Sequence, residues 1–90
     1  MANFVIKKDG TKEPFDAGKI KRAIAGAAQT TDLSEERKDE VAEQVSNVVL
    51  QAVAGQEEIA TSEIRGKILS ELSRIEPSVA DAWKEHEQEK

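Results

Sequence analysis

The chain has 90 residues, 34% of them charged, with no cysteine and a formal net charge of −5. This length suits one small domain, residues 1–90, and the lack of cysteine excludes disulfides, thiolate zinc sites and thiol catalysis. With one histidine and no apolar run near the roughly 20 residues of a membrane span, the sequence favours a soluble, cytoplasmic, non-catalytic module.

Charge is distributed unevenly along the chain. Residues 1–28 carry six lysines or arginines against three acids, and residues 29–90 carry seven against fifteen, so the balances are +3 and −8. A basic segment on an acidic body predicts a small local anion site rather than a nucleic-acid surface, which is normally basic throughout. A basic face that contacts only solvent would give the same asymmetry, and composition does not decide between the two.

The N-terminal segment is patterned as a β-hairpin. Residues 3–8 have the β-branched and aromatic content of a short strand, and residues 11–15 can return as a second strand. Between them, Asp9 and Gly10 predict a type I′ turn, because both residue types tolerate positive φ. Pro14 has no N–H to donate and therefore places the second strand at a sheet edge.

Two helices are predicted after the hairpin. The first covers residues 17–28 with Asp16 as its N-cap. Its apolar stripe, at helical spacing, consists of Ile20, Ala23, Ile24 and Ala27. Asp32 or Ser34 caps the second helix, and Gly55 ends it. The apolar stripe of that helix consists of Val41, Val45, Val48 and Ala52.

The last third of the chain predicts a brief strand and two more helices. The strand lies within residues 56–60, and Thr61 or Ser62 caps the third helix. The stripe of this helix consists of Ile64, Ile68, Leu72 and Ile75. Pro77 opens the last helix, whose apolar face consists of Val79, Ala82, Trp83 and His86. The fold class is therefore α+β, with a small two- to three-stranded sheet or hairpin covering a four-helix bundle.

Patterns typical of enzymes are missing from the sequence. There is neither a P-loop nor a Gly-x-Gly-x-x-Gly motif, and no serine or threonine has a histidine nearby. Acidic pairs such as Glu35 and Glu36 lie in segments patterned as solvated helix faces. We therefore expect no catalytic residue and no metal site.

Three lysines are candidates for an anion site. Lys7 and Lys8 precede the predicted turn, and Lys19 follows the predicted cap of the first helix. A hairpin folded onto that helix would bring all three to its first turn, where free N–H groups already favour phosphate. Lysines act on phosphate as mobile point charges, so a triphosphate could be held without a glycine-rich loop. Ordinary surface lysines are the alternative that spacing leaves open.

Several blocks of the sequence resemble the ATP-cone, a nucleotide-binding regulatory module of many ribonucleotide reductases and of their bacterial transcriptional repressors. The blocks are Val-Ile-Lys-Lys-Asp-Gly at 5–10, Glu-Pro-Phe-Asp at 13–16, Lys-Ile and Ala-Ile within 19–24, Ile-Ala-Thr-Ser-Glu-Ile at 59–64 and Val-Ala-Asp-Ala-Trp at 79–83. The resemblance covers roughly residues 3–86. It implies a four-helix bundle capped by a small sheet, with ATP or dATP, with or without Mg²⁺, held between them.

The resemblance also implies roles for individual positions. Lys7, Lys8 and Lys19 match phosphate-contacting positions. The family usually has arginine at position 8, so Lys8 keeps the positive charge but does not offer the two parallel hydrogen bonds of a guanidinium. Glu13 and Asp16 match polar positions near the ribose and base. The residues that match positions around the base are Val5, Phe15, Ile20, Thr61 and Ile64.

The chain departs from the family pattern in two respects. In the last helix, Trp83 replaces the first aromatic residue of a Tyr-x-x-Tyr-Arg-like pattern, and His86 and Glu87 stand where Tyr and Arg would be. Family members are also usually fused to a catalytic body or a zinc ribbon. We therefore expect either a piece of a longer protein or a stand-alone module that signals to a ribonucleotide reductase, to a regulator chain or through a homo-oligomer.

The competing expectation is a nucleotide-independent protein-interaction module with an acidic helical surface. Neither a membrane nor direct nucleic-acid contact is expected from the charge pattern.

Overall fold

Strands and helices follow the predicted order in the computed structural model, which describes residues 3–88. The elements are β1 (Phe4–Ile6), β2 (Lys12–Pro14), α1 (Ala17–Ala28), α2 (Glu35–Val53), β3 (Glu58–Ala60), α3 (Thr61–Ile75) and α4 (Pro77–Gln88). The predicted α+β class is confirmed. The side chains of residues 86–88 lie outside the described part, and so do the expectations for His86 and Glu87.

The three strands form one mixed sheet in the order β2-β1-β3. The central strand β1 is antiparallel to β2 and parallel to β3. Val5 lies opposite Glu13 on one side and opposite Ile59 on the other, so these three side chains share one face of the sheet. Val5 and Ile59 pack against the helical core, which shows that this face is turned toward the helices.

The hairpin turn differs from the predicted type I′. Among the described residues only Gly10 has a positive φ, at 90°, so the φ angle of Asp9 is negative. The Gly10 N–H donates to the Lys7 carbonyl at 2.9 Å, and the Lys7 N–H donates to the Thr11 carbonyl at 2.8 Å. The loop therefore has three residues with glycine at its end. The Asp9 carboxylate accepts the Thr11 N–H at 2.9 Å, which stabilises this alternative.

Side chains cap the starts of α1 and α2. Asp16 caps α1 as predicted, because its carboxylate accepts the Lys19 N–H at 3.3 Å. At the start of α2, the Ser34 hydroxyl accepts the Arg37 N–H at 3.1 Å, so Ser34 rather than Asp32 is the cap. Each cap satisfies a backbone N–H that the first helical turn leaves without a partner.

The core lies among the four helices and beneath β3. Its largest fully buried side chains are Ile24, Val41, Val45, Val49, Val53, Leu72 and Val79. The stripe predicted for α2 is wrong in its second half, since Val48 is 38% exposed and Ala52 is exposed. Both positions have an apolar neighbour one residue later, and packing against α1 and α3 selects Val49 and Val53 instead. None of the described helices has the length and apolar character needed to cross a membrane.

Two adjacent valines test this packing. Val49→Ala is expected to lower the free energy of unfolding by about 1.5–3 kcal/mol, because it removes buried methyl groups and leaves a cavity. Val48→Ala is the matched control and should cost less than about 0.5 kcal/mol. Urea unfolding of both variants measures the difference, and equal destabilisation would contradict the observed burial of α2.

Candidate functional site

A cavity of about 620 Å³ lies between the hairpin and helices α1, α3 and α4. Its volume falls within the range typical of small-molecule sites. Every residue that the sequence marked as a site candidate lines this cavity: Val5, Lys7, Lys8, Glu13, Phe15, Asp16, Lys19, Ile20, Thr61 and Ile64. Residues far apart in the sequence thus meet at one place.

Five further lining residues were not among the sequence candidates: Pro14, Ala23, Arg65, Ile68 and Trp83. Helical spacing could have found three of them. Ala23 stands at i+7 from Asp16, after Lys19 and Ile20 at i+3 and i+4, and therefore lies on the same side of the chain as these candidates. Thr61, Ile64, Arg65 and Ile68 stand at i, i+3, i+4 and i+7 and therefore lie on one face of α3. Trp83 carries no such signal, because it lines the cavity only through the packing of α4 against α1 and α3.

The hairpin brings two residues of opposite charge into the cavity. Lys7 follows Val5 by two positions and therefore extends from the same side of the chain as Val5 and Glu13. Its Nζ lies 2.8 Å from Glu13 Oε1, and both side chains are substantially exposed. The hydrogen bond that the Lys7 ammonium donates to Glu13 raises the pKa of Lys7, and the same bond lowers the pKa of Glu13.

The directions of these pKa shifts determine the pH range in which the ion pair between Lys7 and Glu13 forms. Because the pKa of Glu13 lies below its ordinary value, the pair is complete above that ordinary value and is lost as the pH falls through the lowered pKa. Lys7, whose pKa is raised, stays charged throughout this fall in pH. At neutral pH an incoming anion must therefore compete with Glu13 for the Lys7 ammonium.

Helix α1 directs its first turn toward the cavity. Asp16, Lys19 and Ile20 all line it, and Asp16 Oδ2 also lies 3.6 Å from Nη2 of Arg22. The positive end of the α1 dipole and the Lys19 ammonium thus act on the same region. The Asp16 carboxylate is occupied as the cap of the helix.

Helix α3 begins at the cavity without a capping side chain. The sequence predicted that Thr61 or Ser62 would cap it, and this is wrong. Because β3 runs directly into α3, Ala60 takes the N-cap position and makes no side-chain hydrogen bond there. Thr61 becomes the first helical residue, beside backbone N–H groups that no capping side chain satisfies.

The cavity combines positive charge with apolar surface. Lys7, Lys8, Lys19 and Arg65 outnumber Glu13 and Asp16, which leaves a local surplus of +2 in a chain of net charge −5. The apolar part of the wall consists of Val5, Pro14, Phe15, Ile20, Ala23, Ile64, Ile68 and Trp83. Such a wall suits a ligand that has both a flat apolar ring and a multiply charged anionic group.

Within the described part of the chain, no three His, Cys, Asp or Glu side chains are grouped so that they could hold a metal ion.

Comparison with known proteins identifies related sequences. The family model of the ATP cone domain matches residues 3–87. The transcriptional repressor NrdR of Bdellovibrio bacteriovorus is 34% identical over 73 residues, which is 81% of this chain and 37% of the repressor. NrdR of Lactobacillus gasseri is 33% identical over 72 residues, 80% of this chain and 46% of the repressor. NrdR of Crocosphaera subtropica is 36% identical over 76 residues, 84% of this chain and 39% of the repressor.

These matches concern the length of the chain and its expected contact with nucleic acid. The chain spans less than half the length of each of these three relatives. Because the relatives are named as transcriptional repressors, they do not support the expectation that this chain makes no direct nucleic-acid contact.

Proposed function

This chain belongs to the ATP-cone family of regulatory nucleotide-binding modules, and we propose that it binds ATP or dATP in the cavity between the hairpin and helices α1, α3 and α4, without hydrolysing it. One observation carries the proposal. Residues that lie far apart in the sequence, and that charge and the family resemblance predict to bind a nucleotide, line a single cavity of suitable size.

The cations of the cavity are proposed to hold the triphosphate. Lys7, Lys8 and Lys19 supply mobile point charges from the hairpin and α1. Arg65 adds a planar guanidinium from α3, which can bind phosphate through two parallel hydrogen bonds. Arg65 would thereby provide the two-pronged phosphate binding that the lysine at position 8 does not offer. The uncapped first turn of α3 offers backbone N–H groups in addition.

The apolar wall is proposed to enclose the base. Val5 and Phe15 approach from the sheet side, and Ile20 and Ile64 approach from α1 and α3. Burying both faces of an aromatic ring removes apolar surface from water at about 25 cal/mol per Å². The base therefore adds to the affinity without needing a charged partner.

The two carboxylates of the cavity are proposed to contact the sugar. In the structure Glu13 is paired with Lys7. When a phosphate takes over Lys7, the Glu13 carboxylate becomes an acceptor for a ribose hydroxyl, and Asp16 lies on the adjacent part of the wall. The exchange keeps both Lys7 and Glu13 hydrogen-bonded.

The hydrogen bonds of both carboxylates support binding without hydrolysis. A general base must have a carboxylate or imidazole available for the attacking water. With a nucleotide bound, Glu13 would be engaged by a ribose hydroxyl, and Asp16 is engaged by the first turn of α1. Any Mg²⁺ would be bound mainly by the oxygens of the triphosphate itself.

Signalling requires that the nucleotide distinguish two arrangements of the chain. A ligand that binds both arrangements equally shifts neither population. The cavity is bounded by the hairpin and by three helices, so an occupant contacts several elements whose packing can change together. The receiver is proposed to be a ribonucleotide reductase or regulator chain, or a second copy of this chain.

A second candidate function is nucleotide-independent docking of a basic protein. The observation in its favour is the acidic surface of α2, where Glu36, Asp39, Glu40 and Glu43 are exposed. This function requires no occupant of the cavity and therefore predicts no stabilisation by nucleotides.

Thermal unfolding with and without ligand distinguishes the two functions. At 100 times its dissociation constant, ATP or dATP should add about 2.7 kcal/mol to the free energy of unfolding. For a domain of this size that raises the Tm by roughly 10 °C or more. AMP, which lacks the β- and γ-phosphates, should stabilise less at equal concentration. No shift with any nucleotide would favour the docking function, and phosphate release from Mg-ATP would contradict binding without hydrolysis.

A further inference from the structure

Trp83 has a buried hydrogen-bond donor without an acceptor. The residue lies on α4 and is 7% exposed, and its Nε1 atom is covered. No described residue accepts a hydrogen bond from this N–H. Leaving a buried donor unpaired is destabilising, and native proteins rarely tolerate it. The indole N–H therefore requires an explanation.

Trp83 shares the cavity wall with apolar residues as well as with polar ones, and none of the described residues accepts its N–H. It lines the cavity together with Ile20, Ala23, Ile64 and Ile68, whose side chains are entirely apolar. The backbone carbonyls inside α1 and α3 accept the N–H groups of their own helices. No described residue supplies the acceptor and Trp83 lines the cavity, so an occupant of the cavity is the candidate acceptor.

We propose that Trp83 is a specificity-determining residue whose indole N–H donates to a ring nitrogen of the purine base in the occupied cavity. The inference rests on the proposed function, since it assumes that a nucleotide enters this cavity. An indole N–H can only donate, so it favours a base edge that presents a lone pair and disfavours an edge that presents an N–H or C–H group.

The contact would also link the base to α4. Because Nε1 is covered in the structure, the indole must rotate or α4 must shift slightly before the base reaches it. Helix α4 packs against both α1 and α3. A shift of α4 would convert occupancy by a base with the correct acceptor into a change in helix packing, whereas a bare polyphosphate would not make this contact.

The single tryptophan of the chain allows the proposed contact between the indole N–H and the base to be observed directly. The chain has one tryptophan, so its indole gives a single ¹H–¹⁵N signal. With saturating ATP, this signal should move downfield and its exchange with solvent should slow. Inorganic tripolyphosphate, which carries the charge without the base, should leave the signal near its free position. Among 1-deaza-, 3-deaza- and 7-deaza-ATP, one analogue should bind about five- to tenfold more weakly and fail to move the signal.

Replacement of the Nε1–H group of Trp83 provides the second test. Because Trp83 is the one tryptophan, growth on β-(3-benzothienyl)alanine replaces only this N–H by sulfur and keeps the ring shape. ATP should then bind about five- to tenfold more weakly, and the sensitive deaza analogue should bind as well as ATP does. Trp83→Phe, checked for folding by circular dichroism, should show the same loss of preference.

Calorimetry run in parallel separates the role of Trp83 from the proposed function. Unchanged ATP affinity after the sulfur replacement, or an indole signal that stays fixed while ATP binds, would overturn the role of Trp83 and leave the proposed function intact. Absence of any ATP binding to the unmodified chain would overturn both.

Discussion

Replacing both Lys7 and Lys19 by alanine is expected to weaken ATP binding by at least about 100-fold. A hydrogen bond to a charged group contributes about 1.5–3 kcal/mol, and two such bonds to phosphate together correspond to at least that factor. Both lysines are exposed, and the exposed ion pair between Lys7 and Glu13 contributes little to folding. The variant should therefore fold normally while losing affinity, as measured by isothermal titration calorimetry.

The matched control is the double variant Lys12→Ala, Lys21→Ala. Lys12 pairs with Glu58 on the sheet as Lys7 pairs with Glu13, and Lys21 follows Lys19 by two residues on α1. Neither control lysine lines the cavity, yet the change in net charge is the same. Its ATP affinity should stay within about twofold of the parent, because only distant screened charge is removed. Equal losses in both double variants would mean that overall charge, rather than this cavity, attracts the nucleotide.

Ala23→Phe is expected to reduce ATP affinity by more than about 100-fold through shape alone, because a bulky ring would occupy space that the base requires. Ala23 is exposed on α1 and lines the cavity, so a larger side chain enters the cavity without entering the helical core. The net charge does not change. This variant therefore tests the location of the ligand independently of the lysines.

Ala52→Phe provides the control for a bulky residue on an exposed helical surface. Ala52 lies on α2, away from the residues that line the cavity. This variant should bind ATP like the parent, and both variants should keep the parent's helical circular dichroism. If the folded Ala23→Phe variant bound ATP with parental affinity, the nucleotide would have to bind elsewhere.

The helix boundaries that could be predicted from sequence are those with local signals. Helix α1 covers residues 17–28 as predicted, because Asp16 caps it with its own side chain. Helix α4 begins at Pro77, where a proline costs no hydrogen bond. In both cases the information lies within a few residues of the boundary.

The predictions that failed depended mainly on distant parts of the chain. Either of two adjacent valines could face the core from α2, and only packing against α1 and α3 selects Val49 over Val48. The cap expected from Thr61 is absent because β3 pairs with β1 up to the residue before α3. The hairpin turn is a local exception, since its three residues are stabilised by the Asp9 carboxylate, which accepts a hydrogen bond within the turn.

The candidate site was predictable where charge and the family resemblance coincided. Lys7, Lys8 and Lys19 stand out from the electrostatics of the N-terminal segment alone, and the structure brings them to one cavity. Arg65 was missed because it stands among acidic residues of the C-terminal two-thirds, although its helical spacing from Thr61 was available. The buried N–H of Trp83 requires the packed structure, since no sequence pattern reveals an unsatisfied donor.

Isothermal titration of the 90-residue chain with ATP and with dATP tests the proposed nucleotide site most directly. We expect saturable binding of one nucleotide in this cavity, with a dissociation constant below about 1 mM, and competition between the two nucleotides. The heat of binding should disappear in the Lys7→Ala, Lys19→Ala variant and persist in the Lys12→Ala, Lys21→Ala variant. No binding to the folded parent chain, or undiminished binding to the Lys7→Ala, Lys19→Ala variant, would contradict the proposed site.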